Sequence, residues 1–302
     1  MDHSWHRPRE REMQKRIDAA GCVDYFQIPV SSGAPHAETT GEEIAGRLRR
    51  LLVLIHRDIA GLHSRTEERV HNIRVQTKKF RALLRLATFG ARTGPAHEAD
   101  RIARDLKGQF ASARDNDVLR ELLLDLFEAS KARRLAAELG LNETANAGPH
   151  VGGSDTPTLA QLEAATGGLS LAHLTPTRIY DSWTRTYGAG RKALKTAARR
   201  GRDEDFHEWR KRVKELLYQS QAIGGVPVVA RIVRPLEKLA SLLGSHHDLA
   251  MLDARFESHL PGSAASGLVR KRKAALGRRA LRAGEKLFAQ RPSAIRLRFP
   301  SR

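Results

Sequence analysis

Two segments of this chain set the same three side-chain types at the same spacing. His71-x-x-Arg74-x-x-x-Lys78 lies within VHNIRVQTKKFRALLRL, and His207-x-x-Arg210-x-x-x-Lys214 lies within FHEWRKRVKELLYQS. Offsets of three and seven put imidazole, guanidinium and ammonium on one face of a helix. A guanidinium presents a planar fork to two anionic oxygens, an ammonium a mobile point charge, and an imidazole a donor whose charge depends on pH. Together they are the chemistry of anion capture. Arg81 and Arg85 continue the first stripe; Lys211 and Tyr218 extend the second. At about 100° per residue, His71, Arg74, Lys78, Arg81 and Arg85 fall within an arc of about 80°. Val70, Ile73, Phe80 and Leu84 fall on another arc. Phe206, Trp209, Val213 and Leu216 repeat that offset in the second segment, which makes Trp209 a core residue.

An acidic echo follows each stripe. Asp115 and Asp117 in RDNDVLREL, and Asp248 in SHHDLAML, each precede an apolar stretch. Either they cap helix starts, or they orient basic side chains through ion pairs. The histidines have three readings: donors to phosphate, structural groups bonded to a neighbour, or metal ligands with Asp117, Asp248 or His247. No coherent metal-ligand set is visible. Stripes and acidic turns recurring in the same order mark a duplicated architecture.

The elements that carry the stripes are helical. Residues 1–40 read as a tail, with YFQIPV as a short strand or anchor. From Gly41 a helix with a wide apolar face leads to one capped by Ser64 or Thr66, which carries His71 and stops near Gly90. Pro95 opens a third, and Asp115 and Asp117 open a fourth that runs to about Gly140. Residues 142–158 are rich in turn formers and read as a joint between halves spanning 41–141 and 159–292. Pro176 opens a long helix through Arg200, and Asp203 or Asp205 caps the next, which ends at Gly224. Pro227 and Pro235 bracket the start of a further helix, and another begins near His247 and Asp248. A last basic helix precedes Pro292, and residues 293–302 form a tail. No multi-strand pattern occurs, so the expected class is all-α.

The 302-residue chain can bury a substantial core, and its net charge of +19 calls for an anionic partner. Aromatic residues make up only 5 %, too few for a base-stacking surface. The single cysteine, Cys22, excludes an intramolecular disulfide and a zinc finger. No apolar run approaches the roughly 20 residues of a membrane span, and the basic N-terminus lacks a signal-peptide core. There is no P-loop, Asp-rich magnesium site or helix-turn-helix signature.

With these residues laid out, the chain resembles the CHAD (conserved histidine α-helical domain) family over residues 41–292. VHNIRVQTKKFRALLRL and FHEWRKRVKELLY resemble its two histidine helices. FASARDNDVL and LGSHHDLAML resemble its acidic turns, and ALRAGEKLF-x-x-RP its closing helix. His247 stands where the family usually has Asn, and Glu215 where the first repeat has Lys79. No CYTH-type domain is read beside it. The resemblance implies two pseudo-symmetric four-helix bundles around a central basic groove or pore, plus a C-terminal helix. It also implies binding of inorganic polyphosphate in the cytoplasm, at polyphosphate granules and beside other granule proteins.

The expected contacts are therefore His71, Arg74, Lys78, Arg81, Arg85, His207, Arg210, Lys211, Lys214 and Tyr218. Secondary candidates are Arg50 and Arg57 on the helix before the first stripe, Arg191, Lys195 and Arg199 before the second, and Arg278 and Arg282 on the last helix. No enzyme activity, metal, cofactor or membrane partner is expected, and nucleic acid only non-specifically. Nucleic-acid binding as the main function, and processing of phosphoanhydrides, remain alternative readings. The histidines also predict that binding strengthens as pH falls through about 6.5.

Overall fold

The computed structural model describes residues 40–62, 66–90, 93–110, 115–141, 159–169, 171 and 174–300. The YFQIPV segment, Ser64 and the 142–158 joint lie outside them. Among the described residues the chain is helical, without a strand. In chain order the helices are α1 (Gly41–Ala60), α2 (Thr66–Thr88), α3 (Gly94–Gln109), α4 (Asp115–Leu126), α5 (Ala129–Glu138) and α6 (Leu159–Gly167). Then come α7 (Pro176–Arg200), α8 (Asp203–Ile223), α9 (Pro227–His259), α10 (Ala264–Leu287) and the short α11 (Pro292–Arg296).

Local chemistry accounts for most boundaries. Thr40 and Glu43 form a reciprocal capping box at the start of α1. Thr175 caps α7, with Pro176 in its first turn, and Gly201 at φ 68° ends it. The α2 helix leaves through Phe89, whose φ of 55° is unusual for a side chain with a Cβ. The Arg178 and Arg185 guanidiniums lie 5.4 and 5.0 Å from the Phe89 ring centre and help hold it there.

Three expected boundaries are corrected. Neither Asp203 nor Asp205 caps α8. Arg202 occupies that position without a side-chain cap, and both carboxylates lie in the first turn, where they favour the positive end of the helix dipole. The fourth helix divides, because Glu128 caps α5 anew. Most consequentially, α9 runs unbroken for 33 residues, with Pro235 inside it and Asp248 well past its middle. Leu236, Leu239, Ala240 and Leu243 are all buried along that run. Their apolar face holds the helix through a residue whose local preference is to start one.

The apolar interior forms two clusters that do not divide at the 142–158 joint. The larger is built from α1, α2, α3, α6, α7, α8 and the first part of α9, joined by Ala280 of α10, Ile295 of α11, Phe288 and Phe299, with Trp183, Trp209 and Tyr187 fully buried. The smaller sets Leu119, Leu123 and Leu135 of α4 and α5, with Leu139 just beyond α5, against Leu252, Phe256 and Val269 of α9 and α10. Thus α6, from beyond the joint, packs on α3, while α4, from before it, packs on α9. The halves expected from sequence are interleaved in space.

The two stripe-bearing helices touch. The Gln219 side chain of α8 donates to the Ala82 carbonyl of α2 at 3.1 Å, with both residues buried. Each stripe helix also forms a hairpin with the helix before it. Gln76 of α2 donates to Asp58 of α1 at 3.2 Å. The Trp183 indole of α7 donates to the Ser220 hydroxyl of α8 at 2.9 Å.

Candidate anion-binding site

The contact of α2 with α8, joined by α3 and α9, collects positive charge around Lys78. Its ammonium is pushed down from the usual lysine value to about 7, first by burial and then by Arg210, Arg74, Lys214 and Lys107. Those neighbours come from three helices. Lys107 on α3 is lowered in turn by burial and by Arg81, Arg74, Lys211 and Arg85. Four cations crowding a half-buried fifth is unfavourable, since desolvation and like charge act in the same direction.

Histidine completes the cluster from α8 and α9. The Nδ1 atoms of His207 and His247 lie 3.3 Å apart, with ring centres at 4.5 Å. One ring donates to the other, so at least one is neutral. Burial lowers the pKa of His207, helped by Lys211 and Arg210. Burial and Arg210 push His247 down to about 4. Both shifts disfavour the charged form, against the switch near pH 6.5 expected of His207. No group of three metal-ligating side chains occurs among the described residues.

Tyr218 lies beneath this layer, 8 % exposed. Burial lifts its phenol to about 12 against the pull of Arg210, so it stays a neutral donor. The Arg210 Nε is buried without a hydrogen-bond partner.

The first stripe splits into two functional parts. Arg81 donates to both oxygens of Asp100 at 3.0 and 3.1 Å, and Arg85 reaches the same carboxylate at 3.1 Å. Burial pushes the Asp100 carboxyl up, but the two guanidiniums outweigh it and hold it below the ordinary range. Arg85 also meets Glu215 of α8 at 3.5 Å. Glu215 binds Arg212 at 3.2 Å, and Glu208 binds both Arg212 and Lys211, at 2.9 and 3.1 Å. This ladder of alternating charge ties α3, α2 and α8 together. Arg81, Arg85 and Lys211, expected as anion contacts, already engage carboxylates. Glu215, the departure noted in the second stripe, is the acid that bridges to α2.

Arg74 also serves the fold, donating to the carbonyl of Phe110, the residue that ends α3. His71 is half-buried one turn earlier on α2. Asp115 opens α4, where Asp117 pairs with Arg120. Asp248 lies inside α9, which rules out its reading as a helix cap.

The secondary candidates spread over other surfaces. Arg50 and Arg57 are exposed on α1, and Lys195 and Arg199 on α7. Arg191 donates to the Phe288 carbonyl at 3.0 Å, clamping the end of α10 to α7. Arg278 and Arg282 are exposed on α10. Sequence reading missed Lys107 as a member of the cluster, and Asp100 as the acid that neutralises half the stripe. No repeat marks either residue. It had named His247 only as a departure and a candidate ligand.

With the fold and the cluster in view, the relatives can be placed. The CHAD domain family model matches residues 47–257, and the chain belongs to this family. The fold is similar to the crystal structure of the CHAD domain from the plant Ricinus communis. The TM-score is 0.59 at 20 % identity, covering 85 % of this chain and 97 % of that one. No curated protein matches the sequence. None of the helices among the described residues is long and apolar enough to cross a membrane.

Proposed function

We propose that this protein binds inorganic polyphosphate, without turning it over, in the basic cluster between α2, α8, α3 and α9. One observation carries the reading: Lys78 is half-buried and held near pKa 7 among Arg210, Arg74, Lys214 and Lys107. A chain of phosphates relieves that repulsion at each contact. Charge-assisted hydrogen bonds to phosphate oxygens are short and strong. The repetitive ligand needs no base recognition, which suits a cluster built of Lys, Arg and His. Membership of the CHAD family supports the same ligand through the resemblance drawn from sequence. The cellular setting that goes with it is the cytoplasm and the polyphosphate granule, in company with other granule proteins.

Titration calorimetry with phosphate chains of defined length tests the proposal. Affinity is expected to rise with chain length until the cluster is filled, and phosphate release is expected to be absent with added magnesium. Equal affinity for orthophosphate and long chains, or tighter binding to duplex DNA than to polyphosphate, overturns it.

A further inference from the structure

The last long helix carries a second set of cations that the cluster does not use. Within its 24 residues α10 holds eight Lys and Arg and one carboxylate, Glu285. Arg272 is half-buried, and the other seven divide by face. Lys273 bonds Asp203 and Asp253 at 2.8 and 2.7 Å, and Arg270 meets Glu257 at 3.1 Å, both toward neighbouring helices. Lys271, Arg278, Arg279, Arg282 and Lys286 are all exposed, and none has an ion-pair partner among the described residues.

Packing fixes where that outer face points. Gly277 sits against His246 and Phe206, and a Cβ on Gly284 would clash with the Trp209 ring. The inward side of α10 is thus pressed on α8 and α9. At 100° per residue the five free cations lie on the other side, along about 22 Å of helix. On α8, Trp209 faces α10, while Arg210 and Lys214 lie roughly 100° and 140° around the helix from it. The cluster cations of α8 thus lie on a different face of that helix from the one that packs on α10.

We infer that the outward face of α10 is a second polyanion-docking surface, which lets one molecule hold two polyphosphate chains at once. The inference rests on the polyphosphate reading of the cluster. Charge complementarity defines the occupant. The face offers guanidiniums and ammoniums at intervals of one to two turns, with no aromatic ring and no amide to read a base. It is a surface for phosphate oxygens alone. Unlike the cluster it is open and solvated, so it is the weaker and more salt-sensitive of the two.

A bridging assay tests this with the full-length protein. Polyphosphate fixed on beads is incubated with protein and then with fluorescent polyphosphate, whose capture requires two sites. The wild type is expected to capture it. The triple variant Arg278→Glu, Arg282→Glu, Lys286→Glu is expected to lose at least tenfold of the capture, while retaining wild-type affinity for tripolyphosphate and a wild-type melting temperature. Undiminished capture by that variant overturns the inference and assigns bridging to self-association. A variant that loses duplex DNA binding but keeps polyphosphate bridging overturns it too, since the occupant is then nucleic acid. An Arg210→Glu variant separates the two readings. If it leaves tripolyphosphate affinity unchanged, the cluster reading fails, and the α10 face is judged by its own variant.

Discussion

Lys78 is the residue on which charge, burial and pH meet. Its folded pKa of about 7 lies well below the ordinary lysine value, so between those two pH values the unfolded chain binds more protons than the folded one. Stability therefore rises with pH across that window, and the full penalty is present below pH 7. Lys78→Met keeps the length of the side chain and removes the charge. It is expected to stabilise the protein by roughly 1–3 kcal/mol at pH 6.5 and by little near pH 10, read from melting curves at both values. A pH-independent difference would show that the ammonium is not under strain. The same residue decides proton linkage. A bound polyanion raises the Lys78 pKa, so binding at pH 7–8 takes up a proton there. Calorimetry in buffers of different ionisation enthalpy is expected to show uptake in the wild type and in His247→Asn, but much less in Lys78→Met. Uptake lost in His247→Asn instead would move the switch to the His207–His247 pair; the sequence alone had put it on His71 and His207.

At the scale of elements, the charge ladder between α3, α2 and α8 is structural as much as it is electrostatic tuning. Glu215 is largely buried and serves Arg85 on one helix and Arg212 on its own. Glu215→Gln removes one of two counter-charges from each guanidinium at the α2–α8 contact, leaving Asp100 to Arg85 and Glu208 to Arg212. It is expected to cost about 1–2 kcal/mol, up to about 1 for each partly exposed pair. Denaturant unfolding measures this, and a change below 0.5 kcal/mol, the range of an ordinary surface substitution, would make the ladder ornamental. Sequence periodicity already pointed to both stripes, because helical spacing and apolar arcs are local. It also located the starts of α3 and α7, where a proline acts within the first turn. It misjudged α9, where local rules favour a helix start at Pro235 and at Asp248 and the buried face formed by Leu236, Leu239 and Leu243 overrides them. It also missed Lys107 and Asp100, because their roles arise only when α3 docks on α2. The depression of Lys78 was unreadable for the same reason: it needs three helices to converge.

At the scale of the whole molecule, net charge of +19 makes affinity for any polyanion depend on salt. The useful question is which charges set the slope. Surface cations on α1, α7 and α10 raise attraction at long range, and salt screens them beyond about 10 Å at 0.1 M. On the polyphosphate reading, the clustered charges act at contact and release a fraction of a counterion for each phosphate they neutralise. Each lost contact is expected to reduce the slope of log affinity against log salt by roughly 0.7, the value for single-stranded polyanions. Lys107 and Arg210 are the cleanest pair to change, because neither donates to a backbone carbonyl as Arg74 does to Phe110. Lys107→Glu with Arg210→Glu is expected to weaken tripolyphosphate binding by more than about 100-fold, or about 2.7 kcal/mol. The salt slope is expected to fall by at least 1, and the fold to stay intact, because reversing two charges relieves the crowding around Lys78. Binding measured from 50 to 300 mM salt, alongside circular dichroism, checks both quantities. A variant that keeps native dichroism, full affinity and the full slope would move the contact region away from α2, α8 and α3, leaving the exposed helices to account for the attraction.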